Sequence, residues 1–402
     1  MDYKIIENCR ACGRNEFTNI LNLGYQYIAN AFYAEGNPPT LKAPLKLIKC
    51  STCDLVQLKH SIDPNLMYRN YWYRSGINQS MKTHLQELVI SVMDKVVLGK
   101  HDIVIDIACN DGTLLGFYPR CVTKIGVDPS NIKPSNCDHF IHDYFSYEPV
   151  KYCLRYKKAK AITSIAMFYD LNKPKEFIQE VRKCLDDNGV WCLELSYLPR
   201  MLENVAFDSI CHEHLCYYSL KTFEGLLRDI DLEIFDVSFN DMNGSSFRLF
   251  LAPCGTQKIN PGVIHAFNKE TEFFGVQDQY WNFADDVENR AQALISFVNA
   301  QKSLGKKVFG IGASTKGQIL LQYCNFNSND IEAIAERNPD KHGLFTPGTS
   351  IPICSEEELR LSKPDYAIVF PYHFKDEIIE REKALRGAGT KLVFPLPELE
   401  II

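Results

Sequence analysis

Long apolar runs are missing from the 402-residue sequence, and their absence excludes a helical membrane protein. No stretch approaches the roughly 18 consecutive apolar residues of a membrane-spanning helix. Residues 1–4, Met-Asp-Tyr-Lys, lack the apolar core of an export signal. Internal repeats and low-complexity tracts are also absent. We therefore expect a folded cytoplasmic protein with no membrane partner.

An excess of basic charge is missing as well. The 44 Lys and Arg residues face 50 Asp and Glu residues, giving a net charge of −6, which argues against nucleic acid as a partner. Fifteen cysteines, an odd number scattered through apolar segments, fit a reducing compartment better than a disulfide framework. A chain of this length usually holds more than one core, so we expect two or three domains.

Four cysteines form two pairs near the N-terminus. Cys9-x-x-Cys12 and Cys50-x-x-Cys53 are separated by residues 13–49. Two such turns supply four thiolates for a closed tetrahedral Zn²⁺ site, the alternative being two coincidental pairs. A closed site leaves no open coordination position, so this metal should hold a domain together and take no part in catalysis.

The stretch from Ile103 to Pro129 predicts the first half of a doubly wound α/β sheet. Residues 103–107 read as a buried strand, residues 113–117 begin a helix, and a second strand ends at Asp128. Ligands bind at the carboxyl ends of strands in such sheets. There, N–H groups of the turn should favour an anionic group, and Asp128 should accept hydroxyls of a ribose.

The turn after the first strand is not a dinucleotide fingerprint. Asp106-x-Ala108-x-Asn110-x-Gly112 lacks the G-x-G-x-x-G pattern, although a nicotinamide site stays the alternative from this stretch alone. The pattern resembles motif I of class I S-adenosylmethionine (SAM) methyltransferases, most of which have Gly where Ala108 stands. The resemblance implies cofactor contacts at Asp106, Ala108, Asn110, Gly112, Asp128, Pro129 and, against the adenine, Asp143.

Two further segments carry candidate chemistry. The aromatic run Tyr71-Trp72-Tyr73 fits either domain packing or a Tyr73 side chain that reaches the SAM site. The segment from Cys211 to His214 contains a Glu between two His residues. It fits a metal site without an evident third ligand, hydrogen bonding at a buried turn, or general acid–base chemistry. We favour the last, because His titrates near neutral pH and a neighbouring carboxylate orients it.

Periodicity places the remaining elements. We expect helices over 78–97, 174–185 and 281–304, strands over 161–167 and 189–194, and a break over 253–280. Residues 168–171, which follow the first of these strands and include Tyr169 and Asp170, should line the reaction pocket.

A second strand–turn–helix pattern begins near residue 307. Gly310-x-Gly312-x4-Gly317 is neither a dinucleotide fingerprint nor a Walker A loop, because Gln318 stands where the latter needs Lys. Backbone amides of the turn together with Lys316 suit a phosphate or diphosphate.

These motifs, in this order, resemble the SAM-dependent C-methyltransferases of nucleotide-linked deoxysugars over nearly the whole chain. The resemblance is carried by the four paired cysteines, Tyr71-x-Tyr73-x-Ser75-Gly76, residues 106–115, Cys211-His212-Glu213-His214, Asn243-Gly244-Ser245-Ser246-x-Arg248, Gly312–Gly317 and the run from Arg337 to Thr349. Besides Ala108, Cys211 departs from the family, whose studied members have Tyr there.

The resemblance implies three domains: a zinc-ribbon-like domain over 1–70, a class I methyltransferase domain over 71–260, and a Rossmann-like nucleotide-sugar-binding domain over 281–402. It implies methyl transfer to C-3 of a nucleotide-linked 4-keto-6-deoxysugar through an enolate. We assign His214 as the base, Glu213 as its polar partner, and Tyr73 as an alternative base or stabiliser of the enolate oxygen. Substrate contacts are assigned to Tyr169, Tyr218, Arg248, Ser314, Lys316, Arg337 and His373.

Two other classes stay open. One is an O- or N-methyltransferase of a nucleotide sugar or another small acceptor. The other is a zinc-ribbon binding protein with a relic methyltransferase core, against which the intact Asp106, Asp128 and His214 argue. The sequence does not determine the oligomeric state.

Overall fold

The computed structural model describes residues 3–275 and 278–402, which contain four β-sheets. Within these residues, no helix has the length and apolar character needed to cross a membrane.

Two small antiparallel sheets form the N-terminal region. One pairs β1 (Tyr3–Ile5) with β5 (His60–Ile62). The other has the order β11-β4-β3-β2, with bounds β2 (Phe17–Tyr27), β3 (Lys42–Cys50), β4 (Val56–Leu58) and β11 (Cys216–Tyr217). The short helix α1 (Pro64–Tyr68) follows. Because β11 comes from the middle of the chain, backbone pairing ties this region to the segment just after His214.

A seven-stranded sheet of order β12-β13-β10-β9-β6-β7-β8 forms the centre of the molecule. Its strands are β6 (Ile103–Ile107), β7 (Thr123–Val127), β8 (His139–Ile141), β9 (Ala159–Ile165), β10 (Leu185–Ser196), β12 (Glu233–Asn240) and β13 (Ser246–Ala252). Strand β13 runs antiparallel to both of its neighbours, β10 and β12, and the other neighbouring strands pair in parallel. Strand β6 lies between β7 and β9, so the winding reverses there, and the carboxyl ends of β6 and β9 flank the ligand crevice. The predicted doubly wound α/β fold is confirmed.

Helices cover this sheet close to their predicted positions. They are α2 (Gln79–Met93), α3 (Thr113–Phe117), α4 (Tyr147–Leu154), α5 (Pro174–Cys184), α6 (Leu198–Glu203) and α7 (Leu220–Leu227). All five residues of β6 are buried, as a central parallel strand covered on both faces requires.

The predicted break over 253–280 is wrong for most of its length. Helix α8 (Pro261–Gly275) occupies it, and only residues 276–277 lie outside the described part. Pro261 begins the helix, where a missing N–H costs nothing. The buried Glu270 of α8 accepts hydrogen bonds from Leu220 N (2.7 Å), Lys221 N (2.9 Å) and Tyr197 Oη (2.8 Å), which anchors α8 to the start of α7.

The C-terminal region is a second doubly wound unit, with the sheet order β16-β15-β14-β17-β18-β19. Its strands are β14 (Val308–Ile311), β15 (Ile334–Glu336), β16 (Ile353–Ser355), β17 (Tyr366–Val369), β18 (Lys391–Phe394) and β19 (Glu400–Ile401). Its helices are α9 (Gln279–Ser303), α10 (Thr315–Tyr323), α11 (Glu356–Ser362), α12 (Lys375–Arg381) and α13 (Lys383–Gly387). All strands but β19 are parallel.

Candidate active site

The four N-terminal cysteines converge on one point. Their Sγ atoms all lie within 4.8 Å of one another. Each pair forms a similar turn: Gly13 N donates to Cys9 O, and Asp54 N donates to Cys50 O, both at 3.0 Å. Four sulfur ligands at this spacing fit a closed tetrahedral zinc site.

Backbone hydrogen bonds fix the loop after β6 to the end of β7. The amides of Ala108 and Cys109 donate to Val127 O (2.8 and 3.1 Å), and Asn110 N donates to Asp128 Oδ2 (2.8 Å). The predicted use of these amides for an anionic group is therefore corrected, because protein acceptors already engage them. Asp128 remains at the crevice. Its Oδ1 accepts from Ser130 N (2.8 Å) and Ser130 Oγ (2.5 Å), so only Oδ2 keeps a second lone pair for a ribose hydroxyl.

The other residues predicted to contact the cofactor, Asp106, Pro129 and Asp143, differ in burial and in hydrogen-bond partners. Asp106 is buried and accepts a hydrogen bond from Thr163 Oγ1 (2.6 Å), and burial raises the pKa of its carboxyl to about 7. Pro129 accepts a bond from Arg69 through its carbonyl, at 3.1 Å. Asp143 follows β8 on the same sheet edge and is exposed, and its Oδ1 lies 3.8 Å from Arg69 Nη2.

Replacing Gly112 with Ala should weaken SAM binding at least tenfold. Gly112 has φ +77°, and a Cβ there would lie 1.9 Å from the carbonyl oxygen of Ser135, so the loop must move. Strain of this kind costs well over the roughly 1.4 kcal/mol that corresponds to tenfold. Calorimetric titration with SAM measures the loss. Ala108→Gly is the matched control, because φ is +61° at Ala108 and Gly relieves strain there. Equal affinities in both variants would contradict this account of the loop.

Residues 73–76 form a strap over the same loop. Asn110 Nδ2 donates to Tyr73 O (3.0 Å), Ser75 N donates to Asn110 Oδ1 (3.1 Å), and Gly76 N donates to Asp111 Oδ2 (2.8 Å). The Tyr73 side chain remains 42% exposed while burial by the surrounding protein raises its pKa, as expected at the wall of a cleft. The strap fixes the Tyr73 backbone on the loop, and the entry of its side chain into the SAM site stays a prediction.

His214 lies in a small cavity with Tyr169, whose ring centre is 4.3 Å from that of His214. The contact between His214 Nδ1 and Ser209 O is 2.9 Å, and a carbonyl can only accept, so Nδ1 carries the proton. Nε2 is then the unprotonated nitrogen. Burial and the charge of Lys316 lower the pKa of His214 to about 4, so the ring is neutral at pH 7.

The predicted partnership of Glu213 with His214 is corrected, because Ser209 O orients the imidazole instead. The Glu213 side chain is 3% exposed, and neither carboxyl oxygen has a hydrogen-bond partner among the described residues. Asp170, which follows β9, also has an unpartnered buried oxygen. Burial and the charge of Glu213 raise the pKa of Asp170, and burial raises that of Glu213. The two carboxyls therefore lie close enough for the charge of Glu213 to act on Asp170.

Lys316 and His373 of the C-terminal domain lie near His214, since the charge of Lys316 lowers the pKa of both histidines. Burial, and to a smaller extent the charge of Lys316, lowers the pKa of His373. Tyr372 Oη donates to Asp208 Oδ1 (3.1 Å), and Asp208 is fully buried. Lys316, His373, Asp208 and His214 thus meet where the two doubly wound units touch.

Two of the assigned substrate residues lie elsewhere. Tyr218 is fully buried in an aromatic core, with its ring centre 5.2 Å from that of Phe168. Arg248 lies inside β13, where its Nε donates to Glu194 Oε2 (2.8 Å) in a buried ion pair. Because Tyr218 is enclosed by other rings and the Arg248 charge is paired with Glu194, neither side chain is retained as a substrate contact.

Ser314 and Arg337 have structural partners at the edge of the C-terminal domain. Ser314 caps α10 by accepting from Gly317 N (3.1 Å). Arg337 Nη1 donates to Asn78 Oδ1 (3.1 Å), at the start of α2. Both remain near the turn proposed for phosphate.

The sequence predicts no individual role for Asp208, and it predicts Asp170 only as one of the residues 168–171 that line the pocket. Each stands within a few residues of a candidate, Asp170 next to Tyr169 and Asp208 six residues before His214. An acidic residue inside an otherwise apolar segment was the available signal.

The sequence matches three family models that together span most of the chain. These are a zinc binding domain (residues 9–68), a methyltransferase domain (81–237) and a C-methyltransferase C-terminal domain (241–397). The matches confirm SAM and a structural zinc as the bound groups. The domain bounds of the sequence analysis stay predictions.

A characterised relative matches along the whole chain. C-methyltransferase NovU of Streptomyces niveus is 27% identical over 407 residues, which cover 99% of this chain and 97% of that protein.

Two solved structures are similar to less than half of this chain. A SAM-dependent methyltransferase from Clostridium acetobutylicum has a TM-score of 0.33 and 13% identity, covering 43% of this chain and 92% of that one. Magnesium protoporphyrin IX methyltransferase of Synechocystis PCC 6803, with bound SAH, has a TM-score of 0.32 and 12% identity, covering 45% of this chain and 90% of that one. At such scores the fold assignment rests on the sheet order and the family matches.

Proposed function

Because the protein is a SAM-dependent C-methyltransferase with a zinc-binding domain, we propose that it methylates C-3 of a nucleotide-linked 4-keto-6-deoxysugar in branched-sugar biosynthesis. The proposal uses the predicted division into domains 1–70, 71–260 and 281–402. Bound SAM would supply the electrophilic methyl group.

The observation that carries the proposal is the state of His214. A sugar carbon is a poor nucleophile unless it lies next to a ketone, where removal of its proton gives an enolate. His214 is neutral and has Nδ1 fixed on Ser209 O, so Nε2 is poised to take that proton. The proton would move from C-3 to Nε2. The enolate carbon would then bond to the methyl carbon of SAM as the bond from that carbon to sulfur breaks, and S-adenosylhomocysteine would leave.

The remaining side chains fit the acceptor around this base. Lys316 belongs to the turn of residues 312–317 and would hold the diphosphate close to the pocket. Ser314, Arg337 and His373 would lie along the same edge. Glu213 and Asp170 would meet the sugar's hydroxyl groups with their unpartnered oxygens. Tyr73 and Tyr169 would form the cleft wall, Tyr73 near the enolate oxygen.

Activity should remain constant down to about pH 5. The pKa of His214 in the folded state, about 4, lies below the 6.5 of an unperturbed His. The base therefore stays neutral until the pH approaches 4. The contribution of His214 to stability is fully present above about pH 6.5 and is lost as the pH drops towards 4, because the unfolded chain binds the proton first. Profiles of kcat/KM and circular dichroism between pH 5 and 7.5 test this. An acid limb centred at 6.5 would contradict it.

Deuterium exchange separates this mechanism from an O- or N-methyltransferase. Without SAM, the enzyme in D₂O should exchange the hydrogen at C-3 of a nucleotide-linked 4-ketosugar, as detected by NMR. His214→Asn, incubated in the same way, should not exchange it. A wild-type enzyme that methylates the acceptor and never exchanges this hydrogen would refute the enolate route.

A further inference from the structure

Three chain segments line the pocket of His214: residues 196–201 form one, and the other two carry the contacting rings of Tyr169 and His214 and form two walls. One wall follows β9 and contains Tyr169, and the other runs from Ser209 to Tyr217. The rings of Tyr169 and His214 are 4.3 Å apart across the pocket. The pocket geometry therefore depends on what holds these two segments at a fixed distance.

Gln57 connects the zinc site to the wall that contains His214. Its side chain is fully buried, its Nε2 donates to Cys9 Sγ (3.1 Å), and its Oε1 accepts from Arg10 N (3.1 Å). Its backbone lies in β4 opposite Cys216 of β11, and the next amide, Leu58 N, donates to Leu215 O (2.9 Å). The Gln57 side chain and the pairing of β4 with β11 thus connect Cys9 Sγ to Leu215, the residue after His214.

Arg10 connects the same turn to the other wall. Its Nη1 donates to Leu58 O (2.6 Å), its Nη2 to Ser61 Oγ (2.7 Å), and its Nε to Asn172 Oδ1 (3.3 Å). Ser61 Oγ also donates to Asn172 Oδ1 (2.9 Å). Asn172 stands three residues after Tyr169. Because a guanidinium presents its donors in a rigid fork, one side chain fixes β4, β5 and the first wall together.

We propose that Arg10 and Gln57 are positioning residues, which transmit the fold of the cysteine site to both walls of the catalytic pocket and so set the approach of Tyr169 to His214. Through them the metal site governs the rate of methyl transfer without taking part in the chemistry. This inference goes beyond the proposed function, since it holds for any acceptor that His214 deprotonates.

Arg10→Met tests the proposal, because Met keeps most of the stem and removes all five donors. We expect kcat to fall at least tenfold, while bound zinc and SAM affinity stay at wild-type values. Arg14→Met is the matched control: Arg14 is an exposed arginine on the same turn, and its loss should leave kcat unchanged. Equal kcat in both variants, or zinc lost together with kcat in Arg10→Met, would overturn the proposal.

A second pair of variants avoids the metal site. Asn172→Ala removes the acceptor at the far end and should lower kcat, whereas Asn172→Asp keeps an acceptor and should restore it. Failure of the aspartate to restore kcat would contradict a positioning role.

Hydrogen exchange supplies a readout that needs no acceptor, so failure of this inference can be told from failure of the proposed function. The amide of Leu58 and peptides over 209–217 should exchange faster in Arg10→Met than in Arg14→Met. Unchanged protection of these amides would overturn the inference whatever the substrate is.

Discussion

Replacing His214 with asparagine should lower kcat by about 10²–10⁴-fold, the usual contribution of a general base, and leave SAM binding intact. The Asn amide still offers a donor to Ser209 O, so the local fold persists, but no basic nitrogen remains at the position of Nε2. Single-turnover methyl transfer measures the chemical step, and calorimetric titration measures SAM affinity. Retention of more than a tenth of wild-type turnover would remove His214 from the role of base.

Tyr73→Phe is the companion variant, since Tyr73 is the alternative base. Burial raises the pKa of Tyr73, so its phenol stays protonated at neutral pH and is a poor proton acceptor. We expect Tyr73→Phe to lose less activity than His214→Asn. The reverse order would transfer the role of base to Tyr73.

Replacing Cys50 with serine should release the zinc and lower the melting temperature of the protein. Cys50 is fully buried, and its Sγ lies 3.6 Å from that of Cys12 in the four-sulfur cluster. Structural zinc contributes roughly 10–16 kcal/mol in zinc-finger peptides, far more than any single packing contact here. Because β4 pairs with β11, the loss should extend to the His214 segment and lower activity as well.

Elemental analysis and calorimetry check this prediction. Cys121→Ser is the control, because Cys121 is exposed and lies outside the cluster. A Cys50→Ser protein that keeps one zinc per chain and the wild-type melting temperature would refute the assignment of Cys50 as a ligand.

Short sequence patterns were sufficient to predict the features that depend on a few residues of characteristic type and spacing. The apolar run of β6, the paired cysteines and the spacing from Asp106 to Gly112 predicted a strand, a metal site and a SAM loop, since each depends on neighbours in sequence. Helix α8 was missed because Pro261 and Gly262 read as breakers, whereas proline is well tolerated in the first turn of a helix.

Long-range packing determined the rest. Strand β11 has two residues and therefore no periodicity to detect, yet it joins the His214 segment to the zinc-binding domain. No local signal assigns Arg248 to Glu194 or His214 to Ser209 O, since these pairings depend on how segments meet in the fold. The choice of Glu213 as the partner of His214 followed adjacency in sequence, which does not imply a shared hydrogen bond.

Methylation at carbon of a nucleotide-linked ketosugar can be measured directly. The purified protein would be incubated with SAM and a panel of nucleotide-linked 4-keto-6-deoxyhexoses, and the products analysed by mass spectrometry and NMR. We expect a mass gain of one methyl group on at least one member, attached to C-3. A methyl group on oxygen or nitrogen, or no gain across the panel while SAM still binds, would contradict it.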